Sequence, residues 1–169
     1  MFNSLSSYPL VTLLLPVFLN QNLGCDYLTI GLIFLLFNVV TGVAAFFSLK
    51  RPLSLQRALI LTAISIVASF FLSSFNIAFF LALIALAFVR GYGIGYFEYT
   101  ILKVIKKPEN VSVDIGLIHT PQRIAEFASI LAAGFLVQII GYTPVFVAIG
   151  AFFGFYALIA LYVIQKREL

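Results

Sequence analysis

The chain is poor in charged residues and in the side chains that usually carry chemistry. Of its 169 residues only 9% are charged, and it has one cysteine, one histidine and no tryptophan. The single cysteine, Cys25, excludes an intramolecular disulfide, and we interpret it as a small loop residue rather than a reactive thiol. One histidine and one cysteine without a carboxylate cluster give no transition-metal site. No nucleophile–base set is visible either, so we predict neither an enzyme nor a cofactor.

Apolar residues, in contrast, dominate the composition. They make up 63% of the chain, and its mean hydropathy is +1.14. A soluble domain is about 45–50% apolar and about 25% charged, and a fold of this size has too much surface to bury such an excess. The sequence therefore predicts an all-α, polytopic membrane protein whose partner is the lipid bilayer. The net charge of +4 is then explained by anchoring next to anionic headgroups, and not by nucleic-acid binding.

The basic residues are distributed unevenly along the chain. Eight of the ten lie in three short clusters: Lys50, Arg51 and Arg57; Lys103, Lys106 and Lys107; Lys166 and Arg167. Each apolar stretch between clusters is interrupted by a short polar break that contains no Lys or Arg. Because cytoplasmic loops carry an excess of Lys and Arg, all three clusters are predicted on the cytoplasmic side of the cell membrane. Both termini are then cytoplasmic.

Six membrane spans fit this alternation within a single domain of residues 1–169. A span needs roughly 20 apolar residues to cross about 30 Å of hydrocarbon. The first span is the shortest, and from Leu5 it covers only about 22 Å. We expect either that it begins at Met1 and is thin, or that the chain has lost a natural leader. The predicted spans are residues 5–19, 27–49, 54–72, 76–106, 113–140 and 143–164.

Local signals define several span ends. Asp26 is a candidate N-cap for the second span. Gly141 is placed to end the fifth span as a left-handed glycine. Thr143 and Pro144 then predict an N-cap and a first-turn proline for the sixth.

Four charged residues lie inside predicted spans: Arg90, Glu98, Arg123 and Glu126. A charge at the bilayer centre costs roughly 2.5–3.5 kcal/mol, so it is normally paired or faces water. Arg90 and Glu126 both lie about 21 Å from the outer boundary, which predicts a pair between them. Arg123 is one helical turn from Glu126 and is expected to snorkel or to reach Glu98.

Three roles remain open for these charges. They form a network that pins the fourth and fifth helices together, or Arg90, with or without Arg123, binds an anionic group of a substrate, or Glu126 relays protons. His119 lies near the cytoplasmic interface, as an interfacial polar residue or as a proton-handling one.

Further polar and small residues suggest contacts between helices. Asn38 and Thr41 lie one turn apart near the middle of the second span, as interhelical hydrogen-bonding groups or as cavity-lining groups. Two pairs of glycines spaced by four permit close helix approach. The first pair also lies on the charged fourth helix, where it could let the helix bend. These packing glycines are Gly91, Gly95, Gly150 and Gly154.

Several short motifs follow one another along the chain. The first span ends Leu-Pro-Val-Phe-Leu at 15–19, Arg90 is followed by glycines at 91, 93 and 95, and Gly134 precedes Gly-Tyr-Thr-Pro-Val-Phe at 141–146. In this order the motifs resemble one six-helix half of a major facilitator superfamily transporter. Residues 48–52 keep only the basic part of the family's loop signature, and the fifth helix lacks its glycine-proline motif. Both departures make the second half of such a transporter the better match than the first.

That resemblance implies transport of a small molecule or ion by alternating access. A full transporter of this family has twelve spans in two halves, with substrate bound between them. The resemblance therefore implies a homodimer, a partner that carries the other half, or a fragment that no longer transports. The alternative is a non-transporting membrane protein, either an assembly subunit or a degenerate remnant.

Overall fold

The computed structural model describes residues 7–50, 53–73, 76–104 and 111–168, and within these ranges the chain forms helices and no strand. The predicted all-α class is confirmed. Lys106, Lys107 and residues 1–6, which the sequence analysis placed at span ends, lie outside the described residues. The helices are α1 (Leu10–Asn22), α2 (Tyr27–Lys50), α3 (Leu55–Phe71), α4 (Ile77–Val104), α5 (Val111–Ile140) and α6 (Tyr142–Glu168).

Four of these helices are long and apolar enough to cross a membrane. They contain the stretches Tyr27–Leu49, Ile77–Ile101, His119–Ile140 and Tyr142–Tyr162. The other two, α1 and α3, are apolar but shorter. With 17 residues, α3 spans about 26 Å, slightly less than the hydrocarbon core. The architecture is therefore that of a helical protein compatible with a membrane.

The helix ends follow local sequence signals. Asp26 caps α2, since its Oδ1 accepts a hydrogen bond from the backbone N–H of Thr29 at 3.3 Å. Gly141 has a φ of +80°, the left-handed conformation that a glycine adopts without steric cost. One residue later α6 has already begun, so Thr143 lies inside the helix and is not its cap. At its other end α6 continues to Glu168, past the predicted end at 164.

The first helix is irregular because of its proline. A three-residue α segment, Leu15–Val17, is flanked by π-helical turns at Leu10–Leu14 and Phe18–Asn22. Pro16 has no N–H to donate and its ring crowds the preceding turn, and such wide turns are a usual response. The helix nevertheless forms the centre of one core, where Leu15 and Leu19 are fully buried.

Two helix pairs are held together at glycines. On α4, a Cβ at Gly91 would collide with the carbonyl group of Thr41, and one at Gly95 with Ser48 and the backbone of Ala45, all on α2. On α6, a Cβ at Gly150 would lie 2.9 Å from the carbonyl oxygen of Ser65 on α3, and one at Gly154 would lie 2.6 Å from Thr62 Cγ2. These glycines let the backbones approach closely, so α2 packs on α4 and α6 packs on α3.

The buried side chains form two separate cores along the bundle. The first surrounds α1 and includes Phe18, Phe37, Phe79 and Phe146. The second lies nearer the basic clusters, where Tyr156 Oη donates to the carbonyl oxygen of Gly93 at 3.0 Å. Its buried members come from α3, α4, α6 and the segment just before α3: Leu53, Ala58, Leu61, Val89, Tyr92, Tyr96, Phe153, Tyr156, Ala157 and Leu161. Among the described side chains of α5, only Ala133 is a buried member of a core, and so α5 lies at the periphery.

Candidate functional site

A hydrogen-bonded network of polar side chains runs along α5. The carboxylate of Glu126 accepts hydrogen bonds from Arg123 Nη1 at 2.9 Å and from Gln122 Nε2 at 3.0 Å. Glu126 is buried, whereas 71% of the Arg123 side chain is exposed. The network therefore holds a buried negative charge behind an exposed positive one. In apolar surroundings this fixes the direction in which the guanidinium points.

His119 extends the network by one turn, with its Nδ1 3.0 Å from Gln122 Oε1. Gln122 donates to Glu126 through Nε2, so its Oε1 is the acceptor and His119 must carry a proton on Nδ1. The ring also packs edge-on against Phe97 of α4, with centroids 5.8 Å apart. An amide separates His119 from Glu126, and an amide does not readily pass a proton. This arrangement favours an orienting role for the network over a direct proton relay.

Arg90 lies inside the bundle, at the junction of the two cores. Its guanidinium carbon is 5.6 Å from the ring centroid of Phe37, close enough for a cation–π interaction. Its Nε and Nη1 are buried and have no hydrogen-bond partner among the described residues. The side chain borders a cavity of about 20 Å³ that Ser7 and Ser65 also line. A space of that size holds about one water molecule and no organic substrate.

Arg90 and Glu126 interact through their charges. The charge of Glu126 acts on Arg90, but within the described ranges its hydrogen-bonded cation is Arg123. Glu126 therefore forms an i,i+3 ion pair within α5, and the predicted pair between Arg90 and Glu126 stays a prediction. Arg123 reaches Glu126 rather than Glu98, which is exposed on α4. Arg90 itself points into the bundle interior, toward Phe37.

The two polar residues near the middle of α2 point in different directions. Thr41 is buried against α4, where its Oγ1 donates to the carbonyl oxygens of Phe37 at 2.8 Å and Ala87 at 3.2 Å. Asn38 is exposed, and its Nδ2 donates to the carbonyl oxygen of Phe34 at 2.8 Å. Thr41 is therefore an interhelical contact, whereas Asn38 presents its amide to the outside of the chain.

The exposed polar groups belong to the two spans that the rest of the chain covers least. In both Tyr27–Leu49 of α2 and His119–Ile140 of α5, 22% of the most apolar window is buried. The corresponding figures are 50% for the α4 span and 56% for the α6 span. The uncovered faces of α2 and α5 carry Asn38 and Arg123.

Gln122 and Ser65 are among the site residues that sequence reasoning missed. Gln122 joins His119 to Glu126, and its position three and four residues from them on one helix was a usable signal. Ser65, at the cavity beside Arg90, could not have been found in this way, because it comes from a helix whose rotation the sequence leaves undetermined. Within the described ranges no three His, Cys, Asp or Glu side chains lie close enough together to hold a metal ion.

Comparison with known proteins identifies no relative of this chain: no family model, curated protein or solved structure matches it significantly.

Proposed function

We propose that this chain is one half of a membrane transporter of the major facilitator type, which moves a small solute by alternating access and is completed by a second copy or by another half. The observation that carries the proposal is the exposure of Asn38. This residue lies 11 positions from either end of the span Tyr27–Leu49, at its midpoint. The side chain is too short to reach either membrane surface from that depth.

An exposed amide at mid-membrane requires a polar or protein environment. Transfer of an amide to a purely apolar medium without hydrogen bonds costs several kcal/mol, and the bond to Phe34 satisfies only one of its groups. Residues of this kind in membrane proteins normally face a bundle interior or a water-filled cavity. The surface of α2 around Asn38 is therefore assigned to a cavity or a partner and not to lipid.

The network on α5 supports the same assignment. Arg123 is four residues inside the span His119–Ile140, about 6 Å from its end, and its guanidinium is exposed. Glu126 and Gln122 hold that guanidinium in place. In the proposed transporter Arg123 contacts an anionic group of the substrate, Glu126 positions it, and Arg90 contributes positive charge from behind, within the bundle.

Six helices enclose no path by themselves. In two-halved transporters the substrate lies near the midplane between the halves, and alternating access is a rocking of one half against the other. The uncovered faces of α2 and α5 are the surfaces on which a second half would pack. In this arrangement both termini and the basic clusters face the cytoplasm, as the excess of Lys and Arg favours for a protein of the cell membrane.

Thiol accessibility at mid-span tests the proposal directly. Cys25 is the only native cysteine, so Cys25→Ser gives a thiol-free background. In that background Asn38→Cys is compared with Ala63→Cys, an exposed residue at the midpoint of α3. A charged, membrane-impermeant thiosulfonate is expected to modify Asn38→Cys and not Ala63→Cys in native membranes. Equal protection of both thiols would contradict a water-accessible face on α2.

Transport itself is tested in proteoliposomes with a panel of radiolabelled anionic and neutral solutes, with and without a pH gradient. Arg123→Gln is expected to reduce uptake of an anionic solute at least tenfold while the protein still inserts. A strict monomer in mild detergent, without a co-purifying partner and without uptake of any solute, would favour the non-transporting alternative.

A further inference from the structure

An apolar groove on the outside of the bundle ends at a basic residue. It lies between α2, α3 and α4 and has a volume of about 410 Å³. The apolar side chains around its mouth, such as Phe47, Ile60 and Phe88, are exposed. The full lining is Phe47, Arg57, Ile60, Leu61, Ile64, Phe88 and Tyr92.

Charge and apolar surface are ordered along this groove. Arg57 lies in the first turn of α3, three residues after the N-cap Ser54, whose Oγ accepts a hydrogen bond from the Arg57 backbone N–H. Ile64, seven residues further along the helix, marks the deep end, about 10 Å from Arg57. Lys50 and Arg51 precede α3 in the sequence, so Arg57 belongs to the first basic cluster. The groove thus begins at a basic interface and runs toward the hydrocarbon.

A second groove of similar size differs from the first because no basic residue lines it. It has a similar volume, about 480 Å³, and shares Ile64 with the first, but it continues between α3 and α4 toward the opposite end of α3. Its lining contains no charged or polar side chain: Ala63, Ile64, Val67, Ala68, Phe71, Ala78, Leu81, Ala82 and Ala85. Such a surface accommodates any hydrocarbon chain, whereas the first groove also offers a cation at the level of a headgroup.

We propose that the groove between Arg57 and Ile64 binds an anionic phospholipid of the leaflet next to the basic clusters. The guanidinium pairs with the lipid phosphate, a geometry that arginine favours, and the first part of an acyl chain lies against Ile60 and Phe88. Basic pockets between transmembrane helices on the cytoplasmic side are suited to anionic headgroups. A phospholipid fits this groove better than a soluble anion, because its phosphate can contact the basic end while its acyl chain covers the apolar lining. A soluble anion would leave that apolar lining uncovered. This site is independent of the proposed transport function.

The proposal is tested by measuring which phospholipid the protein retains. The protein is purified in mild detergent, exchanged into mixed phosphatidylglycerol and phosphatidylcholine, and analysed by native mass spectrometry. The unaltered chain is expected to retain phosphatidylglycerol preferentially. Arg57→Gln is expected to weaken that preference about fivefold, because one basic residue near the membrane surface is worth about 1 kcal/mol. Arg57→Lys should keep most of it.

Two further variants separate the groove from general electrostatics. Ile60→Trp fills the groove without changing charge and should also lower phosphatidylglycerol retention. Val67→Trp fills the second, uncharged groove instead and should leave phosphatidylglycerol retention unchanged. The proposal is overturned if the unaltered chain retains both lipids equally, or if Ile60→Trp and Val67→Trp have the same effect.

Discussion

Polar side chains in this protein mostly satisfy their hydrogen bonds within their own helix. Thr62, Thr100 and Thr120 each donate to the carbonyl oxygen four residues earlier, at 2.7–2.8 Å. In an apolar medium an unpaired hydroxyl is costly, and a carbonyl of the preceding turn is always within reach. Thr41 differs, because it also contacts a carbonyl oxygen of α4. A threonine in a span is therefore weak evidence for an interhelical contact.

Asp26 is an N-cap whose contribution to stability depends on pH. The side-chain hydrogen bond with Thr29 is the main cause that holds the pKa of Asp26 below its usual value of 3.8. A carboxylate with a lowered pKa stabilises the fold above its unfolded pKa, and this contribution is lost as the pH falls through the folded value. We expect Asp26→Ala to lower the unfolding temperature at pH 7, and the difference from the unaltered chain to shrink toward pH 3. Thermal unfolding in detergent at several pH values measures it.

Asn is as good an N-cap as Asp and does not titrate in this range. Asp26→Asn should therefore retain the cap at both pH values. If Asp26→Ala and the unaltered chain differ equally at pH 7 and pH 3, the carboxylate is not the origin of the effect.

At the scale of helices, small residues determine which elements pack most closely. Gly91 and Gly95 leave the space that Thr41, Ala45 and Ser48 of α2 occupy. Gly150 of α6 likewise leaves space that α3 occupies. With little hydrophobic drive between helices in lipid, close van der Waals contact of this kind supplies much of the association.

Adding one methyl group at these contacts should separate the helices. Gly91→Ala places a Cβ on the backbone of Thr41, which cannot move as a side chain can, so we expect a loss of about 1–3 kcal/mol or more. Gly42→Ala on α2 meets nothing within 4 Å and should instead stabilise the helix by up to about 1 kcal/mol. Thermal unfolding of the two variants in detergent compares them. A similar melting temperature for both would show that α2 and α4 are not packed through Gly91.

The sequence predicts the helix ends better than the helix faces. Asp26 and Gly141 act through their own neighbours, so local chemistry identifies them. The directions of Asn38 and Thr41 were not predictable, because a helix that is apolar all round has no polar face to fix its rotation. Counting residues predicts a depth for Arg90, whereas the direction of its side chain depends on the packing of four other helices. The spacing of Gly91 and Gly95 predicted a close contact but not the identity of the partner helix.

The molecule as a whole combines a well-packed set of helices with two exposed ones. The second core ties α3, α4 and α6 together, and α2 packs on α4 through the glycines. Among its described residues α5 contacts α1 and α6 and places Ala133 and Val137 at the first core, but most of the apolar window of its span is exposed. An exposed face of this kind leaves room for another surface to pack on it. This agrees with the proposal that a second half packs on α2 and α5.

The number of crossings depends on α3, which is shorter than the hydrocarbon core is thick. It packs along α4 and α6, both of which are long enough to cross, so we expect α3 to cross with them and the bilayer to thin locally. Crossing by α3 places its two ends on opposite membrane faces. Single thiols test this. In the Cys25→Ser background, Ser73→Cys should react with an impermeant maleimide from outside intact cells, and Gln56→Cys only after permeabilisation. The unaltered chain, through Cys25, should behave like Ser73→Cys, because α2 and α3 between them cross twice. Labelling of Gln56→Cys and Ser73→Cys from the same side would mean that α3 lies in the membrane without crossing it. The bundle would then have fewer than six spans. It could no longer be treated as half of a twelve-helix transporter.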